Sequence, residues 1–155
     1  MDNSRGIKDK VVVISGGCGD IGGATAEKLA TLGAKVVIFD LLDDRAGLAR
    51  TREFGGVAYK KADQGDGAQV QKAIDDVAAE FKHLDIAIGN AGIGPGGGVL
   101  EATESDWLDV MRVNLIGCAM LAKAALKHML NQEPDAQGST RASRGNTRAA
   151  GFRDG

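Results

Sequence analysis

Short unbroken apolar runs alternate along this chain with stretches in which apolar residues recur every three or four positions. Lys10 to Ser15 reads KVVVIS and Lys35 to Asp40 reads KVVIFD. Both are β-branched and lack polar alternation, as in strands covered by helices on both faces. Val57 to Lys61 and Asp85 to Gly89 (DIAIG) are shorter segments of the same kind. Helical patterns lie between them. From about Ile21 to Leu32, the positions Ala26, Leu29, Ala30 and Gly33 step i, i+3, i+4, i+7, and Gly33 is a natural stop. Asp43 to Phe54 predicts a second helix. Asp66 to Phe81 is the clearest, with Val70, Ala73, Ile74, Val77, Ala78 and Phe81 in one stripe.

Thr103-Glu104-Ser105-Asp106 has the form of a capping box, with Asp in place of the usual Glu. It opens a long helix predicted to reach about Leu130, ended by Asn131 and Pro134. Met111, Leu115, Cys118, Ala122, Ala125 and Met129 trace its expected inner face, and Asn114 falls on that face. A buried amide needs partners for its donors and acceptor, so Asn114 is either a structural residue bonded to neighbouring backbone or a functional one. The order β-α-β-α-β-α-β-α implies right-handed crossovers and an α/β fold with a doubly wound parallel sheet of the Rossmann type.

Residues 136–155 break this pattern, with one Phe and no Leu, Ile, Val, Met, Trp or Tyr. They are either a disordered tail or the product of a reading frame that has shifted or been cut short. The second is preferred, because a doubly wound sheet should add another strand here. The expected organisation is an incomplete doubly wound domain over residues 1–134, truncated after about four strands in the order 3-2-1-4, with 135–155 disordered or out of frame.

A length of 155 residues suits one domain with one core. Gly is frequent, at 23 residues against two Pro, which points to tight turns and close backbone approach. The net charge of -2 argues for neither nucleic acid nor membrane as a partner. No apolar run approaches a membrane span. Cys18 and Cys118 are far apart and form no C-x-x-C pair, so a reduced cytoplasmic protein is the simplest reading. His83 and His128 are isolated and lack metal-ligand spacing, and no metal site is expected.

Chemistry concentrates after the strands. Ser15-Gly16-Gly17-Cys18-Gly19-Asp20-Ile21-Gly22 joins the first strand to the first helix, and Gly17-x-Gly19-x-x-Gly22 satisfies the dinucleotide fingerprint in its required context. Glycines let the backbone approach a pyrophosphate, and the helix start offers free N–H groups and the positive end of a dipole. Asp40 ends the second strand 18 residues after Gly22, placed to accept hydrogen bonds from the adenosine ribose. It would repel a 2′-phosphate. No Arg or Lys lies within four residues of it, and Asp43 and Asp44 add negative charge, so NAD is expected over NADP.

These residues resemble the short-chain dehydrogenase/reductase family. Its T-G-x-x-x-G-I-G pattern is similar to Ser15–Gly22, with Ser for Thr and Asp20 for the second Gly, a position read as left-handed, which Asp tolerates. Its N-N-A-G resembles Gly89-Asn90-Ala91-Gly92. Its adenine-contacting Asp resembles Asp63, followed by Gln64, and its helix Asn resembles Asn114 in Val113-Asn114-Leu115. The resemblance covers residues 8 to about 130. It implies that Ile21 lies at the pyrophosphate, that Asn90 to Gly92 lie near the inner ribose, and that Val113 flanks the nicotinamide. It makes Asn114 a kink and water site in a proton relay to a Lys.

The implied activity is NAD-dependent hydride transfer between nicotinamide and a secondary alcohol or ketone, in a parent protein that is a homo-oligomer. The family's acid/base is a Tyr helped by a following Lys, with a Ser holding substrate. Here the single Tyr, Tyr59, precedes the N-A-G motif, and the Lys residues after Asn114 are Lys123 and Lys127, inside the long helix. Ser139 and Ser143 lack an apolar frame to aim them. The alternative reading is therefore a catalytically incompetent fragment that at most binds the dinucleotide.

Overall fold

The computed structural model describes residues 6–55 and 57–132. Its elements are β1 (Val11–Ser15), α1 (Asp20–Thr31), β2 (Lys35–Asp40), α2 (Asp44–Glu53), β3 (Ala58–Lys61), α3 (Gly67–Phe81), β4 (Ile86–Ile88), α4 (Glu104–Met111), a π-helical segment (Arg112–Gly117) and α5 (Cys118–Met129). The expectations for 135–155 lie outside the described residues.

The four strands form one parallel sheet in the order β3-β2-β1-β4, as the patterning predicts. Val13 sits level with Val37 on β2 and Ala87 on β4, and Ile38 is level with Tyr59 on β3. Successive strand residues point to opposite faces, so each central strand feeds two cores. Val11, Val13, Val37 and Phe39 pack with Val70, Ile74 and Val77 of α3 and Leu121 of α5. Val12, Ile14, Val36 and Ile38 pack with Ala26 of α1, Phe54 and Val57 on the other face. Each such side chain, fully buried, contributes roughly 1.5–3 kcal/mol.

Three helix starts carry side-chain caps. The Asp43 side chain accepts from the Ala46 N–H, Asp66 accepts from Ala68 and Gln69, and Thr103 with Asp106 closes the reciprocal capping box. Of the helices that begin from a loop, α1 alone among the described residues has no side-chain cap, with Gly19 as its N-cap. At the amino ends of β1 and β4, Lys10 Nζ and Asp85 Oδ1 form a buried pair at 3.1 Å, and Asp85 Oδ2 accepts from Val11 N. This fixes the strand pair at the end remote from the α1 start.

The long helix differs from its prediction. It is three pieces, because the segment Arg112–Gly117 is wound as a π-helix between α4 and α5. The buried face is Val113, Gly117, Leu121, Ala124 and Ala125, whereas Met111, Leu115 and Ala122 of the expected face are exposed. Apolar residues occur all round this stretch, so periodicity alone does not choose which side turns inward. Asn114 is accordingly exposed rather than buried. No helix among the described residues is long and apolar enough to cross a membrane.

Candidate functional site

A cavity of about 610 Å³ opens at the carboxyl ends of the strands, above the β1–β4 boundary where the strand order reverses. Its size falls in the range of small-molecule sites. All the residues expected at the site line it except Gly17 and Asn114. Phe39, Ala62, Val70 and Leu121 add an apolar floor that no motif announced.

The glycines act in different ways. Gly16 has φ of +61°, and a Cβ there would lie 2.7 Å from the Ala91 Cα. Gly17 is buried against Ile38, which would sit 2.5 Å from an added Cβ, so this glycine packs the turn on β2 and does not face the cavity. A Cβ on Gly22 would lie 2.4 Å from the Gly16 carbonyl oxygen and 2.7 Å from Asn90 Nδ2. Of these four, only Gly19 could carry a Cβ without a clash, its nearest neighbour being Gly16 O at 3.5 Å, an ordinary contact. Asp20 opens α1 with a negative φ, so no left-handed residue is required there. An acid in the first helical turn is instead favoured by the dipole.

Side-chain amides and one hydroxyl knit the surrounding loops. Ser15 Oγ accepts from the Asn90 and Ala91 amides at 3.1 and 3.2 Å. Asn90 Nδ2 donates to the Ser15 and Gly16 carbonyls at 3.1 and 3.0 Å. Gln64, buried, donates from Nε2 to Ala91 O and Val113 O, both at 3.0 Å, while its Oε1 is buried without a protein partner. Asn114 spans the same loop from outside. Its Oδ1 accepts from the Ile93 N–H and its Nδ2 donates to the Ile93 carbonyl, each at 2.9 Å. The side chain thus ties the π-segment to the residue after the N-A-G motif.

The acids are placed by backbone bonds. Asp40 Oδ2 accepts from Cys18 N at 2.9 Å and Oδ1 from Leu41 N at 2.8 Å. Asp63 Oδ1 accepts from Gly65 N at 2.7 Å, with the Arg112 guanidinium at 4.0 Å from Oδ2. Burial, then the neighbouring Asp40 carboxylate, push the Cys18 thiol up to about 11, so it stays a neutral wall of the cavity. Arg50, which no motif singled out, donates from Nε to Cys18 O at 3.1 Å.

Comparison with known proteins decides what this arrangement belongs to. Residues 10–139 match the short chain dehydrogenase family. The chain is a short-chain dehydrogenase family member. It is 37% identical over 130 residues to tropinone reductase-like 2 of Erythroxylum coca, covering 81% of this chain and 47% of that protein. It is 36% identical to the cis-4-hydroxycyclohexanecarboxylate dehydrogenase of Sinomonas cyclohexanicum, covering 78% of this chain and 50% of the relative. Among solved structures, a short-chain dehydrogenase/reductase from Burkholderia phymatum in complex with NAD superposes with a TM-score of 0.71 at 36% identity, covering 80% of this chain and 45% of that one. This short-chain dehydrogenase chain therefore spans about half the length of the curated relatives it matches.

Proposed function

We propose that these residues form the dinucleotide-binding part of an NAD-dependent oxidoreductase, acting in the whole protein between a secondary alcohol and its ketone. What supports the reading is the convergence, at one cavity, of an uncapped helix start, Asp40, the Asp63–Gln64 pair and the Asn90–Gly92 loop. The N–H groups at the start of α1 would hold a pyrophosphate, since no side chain competes for them and Gly19 leaves room for close approach. Asp40, already oriented by the Cys18 and Leu41 amides, would accept from the ribose hydroxyls. Asp63 and Gln64 would line the adenine side, and Asn90 to Gly92 with Val113 the nicotinamide side. Bound nicotinamide would supply the hydride donor or acceptor. Asn114 would position the loop through Ile93 and hold the π-segment open to water. A reduced, cytoplasmic setting suits the two free thiols, Cys18 and Cys118.

A second reading, binding without turnover by this chain alone, has its own support. Tyr59 stands on β3, and its hydroxyl is bonded to the carbonyls of Asp40 and Leu42 at 3.1 and 2.6 Å. Burial, then Cys18 and Asp40, raise its pKa, the opposite of what an acid/base near neutral pH needs.

Titration calorimetry on the 155-residue chain tests both readings. NAD is expected to bind tighter than NADP, and Asp40→Ala to narrow that gap by removing bonds worth about 1 kcal/mol each. A preference for NADP refutes the Asp40 argument. Incubation with NAD and a panel of secondary alcohols should give no NADH above background, because a missing acid/base typically costs about 10²–10⁴-fold. Clear turnover by the pure chain removes the second reading.

A further inference from the structure

Cys18, at the centre of the glycine turn, is held through both of the peptide units that flank it. Its N–H donates to Asp40 Oδ2 at 2.9 Å, and its carbonyl accepts from Arg50 Nε at 3.1 Å. The first grip comes from the end of β2. The second comes from α2, 32 residues further along the chain from Cys18.

Arg50 is itself held in place. Its Nη1 pairs with Glu53, one helical turn away, and its Nη2 lies 3.7 Å from Asp20 Oδ1. The guanidinium carbon lies 5.1 Å from the centroid of the Phe54 ring. Phe54 is buried, and its ring is pressed so close to Gly23 of α1 that an added Cβ there would lie 2.3 Å away. The guanidinium plane is thus fixed by Phe54 and Glu53, and its Nε–H is aimed at the turn. The Asp20 partner is fully exposed, so that ion pair is screened and weak. The bond to the Cys18 carbonyl is the directional one.

We infer that Arg50 is a positioning residue for the dinucleotide turn, fixing the Cys18–Gly19 peptide so that the turn, including the neighbouring peptide that donates to Asp40, keeps its shape. The inference rests on the dinucleotide reading for its effect on binding, but the clamp is a property of the chain without ligand. Rotation of the Cys18–Gly19 peptide would break the Arg50 bond and, through the shared Cys18 Cα, disturb the Gly17–Cys18 peptide whose N–H is the donor to Asp40. Lysine cannot replace the clamp, because an ammonium at the end of a flexible stem lacks the Nε–H of the planar fork. The same stem still covers Phe54, so Arg50→Lys keeps the packing and removes only the directed bond.

The test compares Arg50→Met and Arg50→Lys with the unsubstituted 155-residue chain, by amide hydrogen exchange without ligand and by NAD titration. Both substitutions are expected to speed exchange of the Cys18 and Gly19 amides about tenfold, and to weaken NAD about tenfold, consistent with loss of one charge-assisted bond. Exchange of the Val13 and Val37 amides in the sheet should not change. Restoration of either readout by Arg50→Lys overturns the clamp, leaving only charge. So does acceleration spread evenly over the sheet, which would mark a general loss of stability, and so does unchanged NAD affinity in a chain that binds NAD. If the unsubstituted chain does not bind NAD, the dinucleotide reading fails, and exchange confined to the turn still establishes the clamp.

Discussion

Gly19 and Gly22 separate the packing of the glycine turn from its proposed role in binding a dinucleotide. A side chain at Gly22 has nowhere to go, with the Gly16 carbonyl oxygen 2.4 Å from the position of its Cβ. Gly22→Ala should therefore cost about 1–3 kcal/mol of stability as the backbone moves, and NAD binding should fall with it. Gly19 can carry a methyl group at ordinary contact distance, so Gly19→Ala should cost less stability than Gly22→Ala, chiefly the N-cap preference for Gly over Ala, while losing NAD affinity if the pyrophosphate approaches this helix start as proposed. Paired thermal melts and calorimetry check this. Gly19→Ala binding NAD as tightly as the parent would remove the pyrophosphate from this helix start. At this scale the sequence exposed the site wherever its residues were contiguous, as in Ser15 to Gly22 and Asn90 to Gly92. It hid what folding assembles. Arg50 reaches Cys18 from α2, the Gln64 amide bridges the Ala91 loop and the π-segment, and the paired hydrogen bonds of Asn114 to Ile93 depend on a π-turn.

Helix ends and interruptions carry the next level. Asp66 caps α3 by accepting from the Ala68 and Gln69 amides, and Gln69 Nε2 donates to its other oxygen. The Gln69 and Ala68 bonds hold the Asp66 carboxyl below the usual carboxylate range. Its folded value thus lies under its unfolded value of about 3.9. The stability it confers is present above that unfolded value and is lost as pH falls through the folded one. Asp75 shifts the same way, held low by its bond from His128. Asp66→Ala should lower the melting temperature at pH 7, and the gap to the parent should shrink at pH 3, below the unfolded value, where part of that stability is lost. A gap of equal size at both pH values would mean that charge plays no part in the cap. The strands were legible as unbroken apolar runs, and α3 as a single apolar stripe of Val70, Ala73, Ile74 and Val77, all buried. The last helix was not, since its apolar residues surround it and a π-turn carries no hydrophobic signature of its own.

At the scale of the whole molecule, the sheet is asymmetric. Among the described residues β4 is an edge, three residues long and partly exposed along its length. An apolar edge with unpaired N–H and C=O groups recruits other strands. Beside it, α4 and the π-segment present Leu108, Met111, Leu115 and Ile116, each 47–63% exposed, with Trp107 at 43%. Exposed apolar groups in one stretch mark surfaces that other protein covers, and the part of each relative that this chain matches is about half of that relative. Each large side chain left uncovered forfeits up to roughly 1.5–3 kcal/mol, in a domain whose net stability is about 5–15 kcal/mol. Expressed alone, the 155 residues should therefore associate with rising concentration and melt broadly. Leu108→Lys combined with Leu115→Lys should shift the distribution toward the 16.0 kDa monomer in sedimentation velocity, as both positions point outward and their replacement leaves the core intact. Self-association undiminished in that double variant would assign it to the β4 edge instead. A monodisperse parent chain with a sharp cooperative melt would show that neither surface needs a cover.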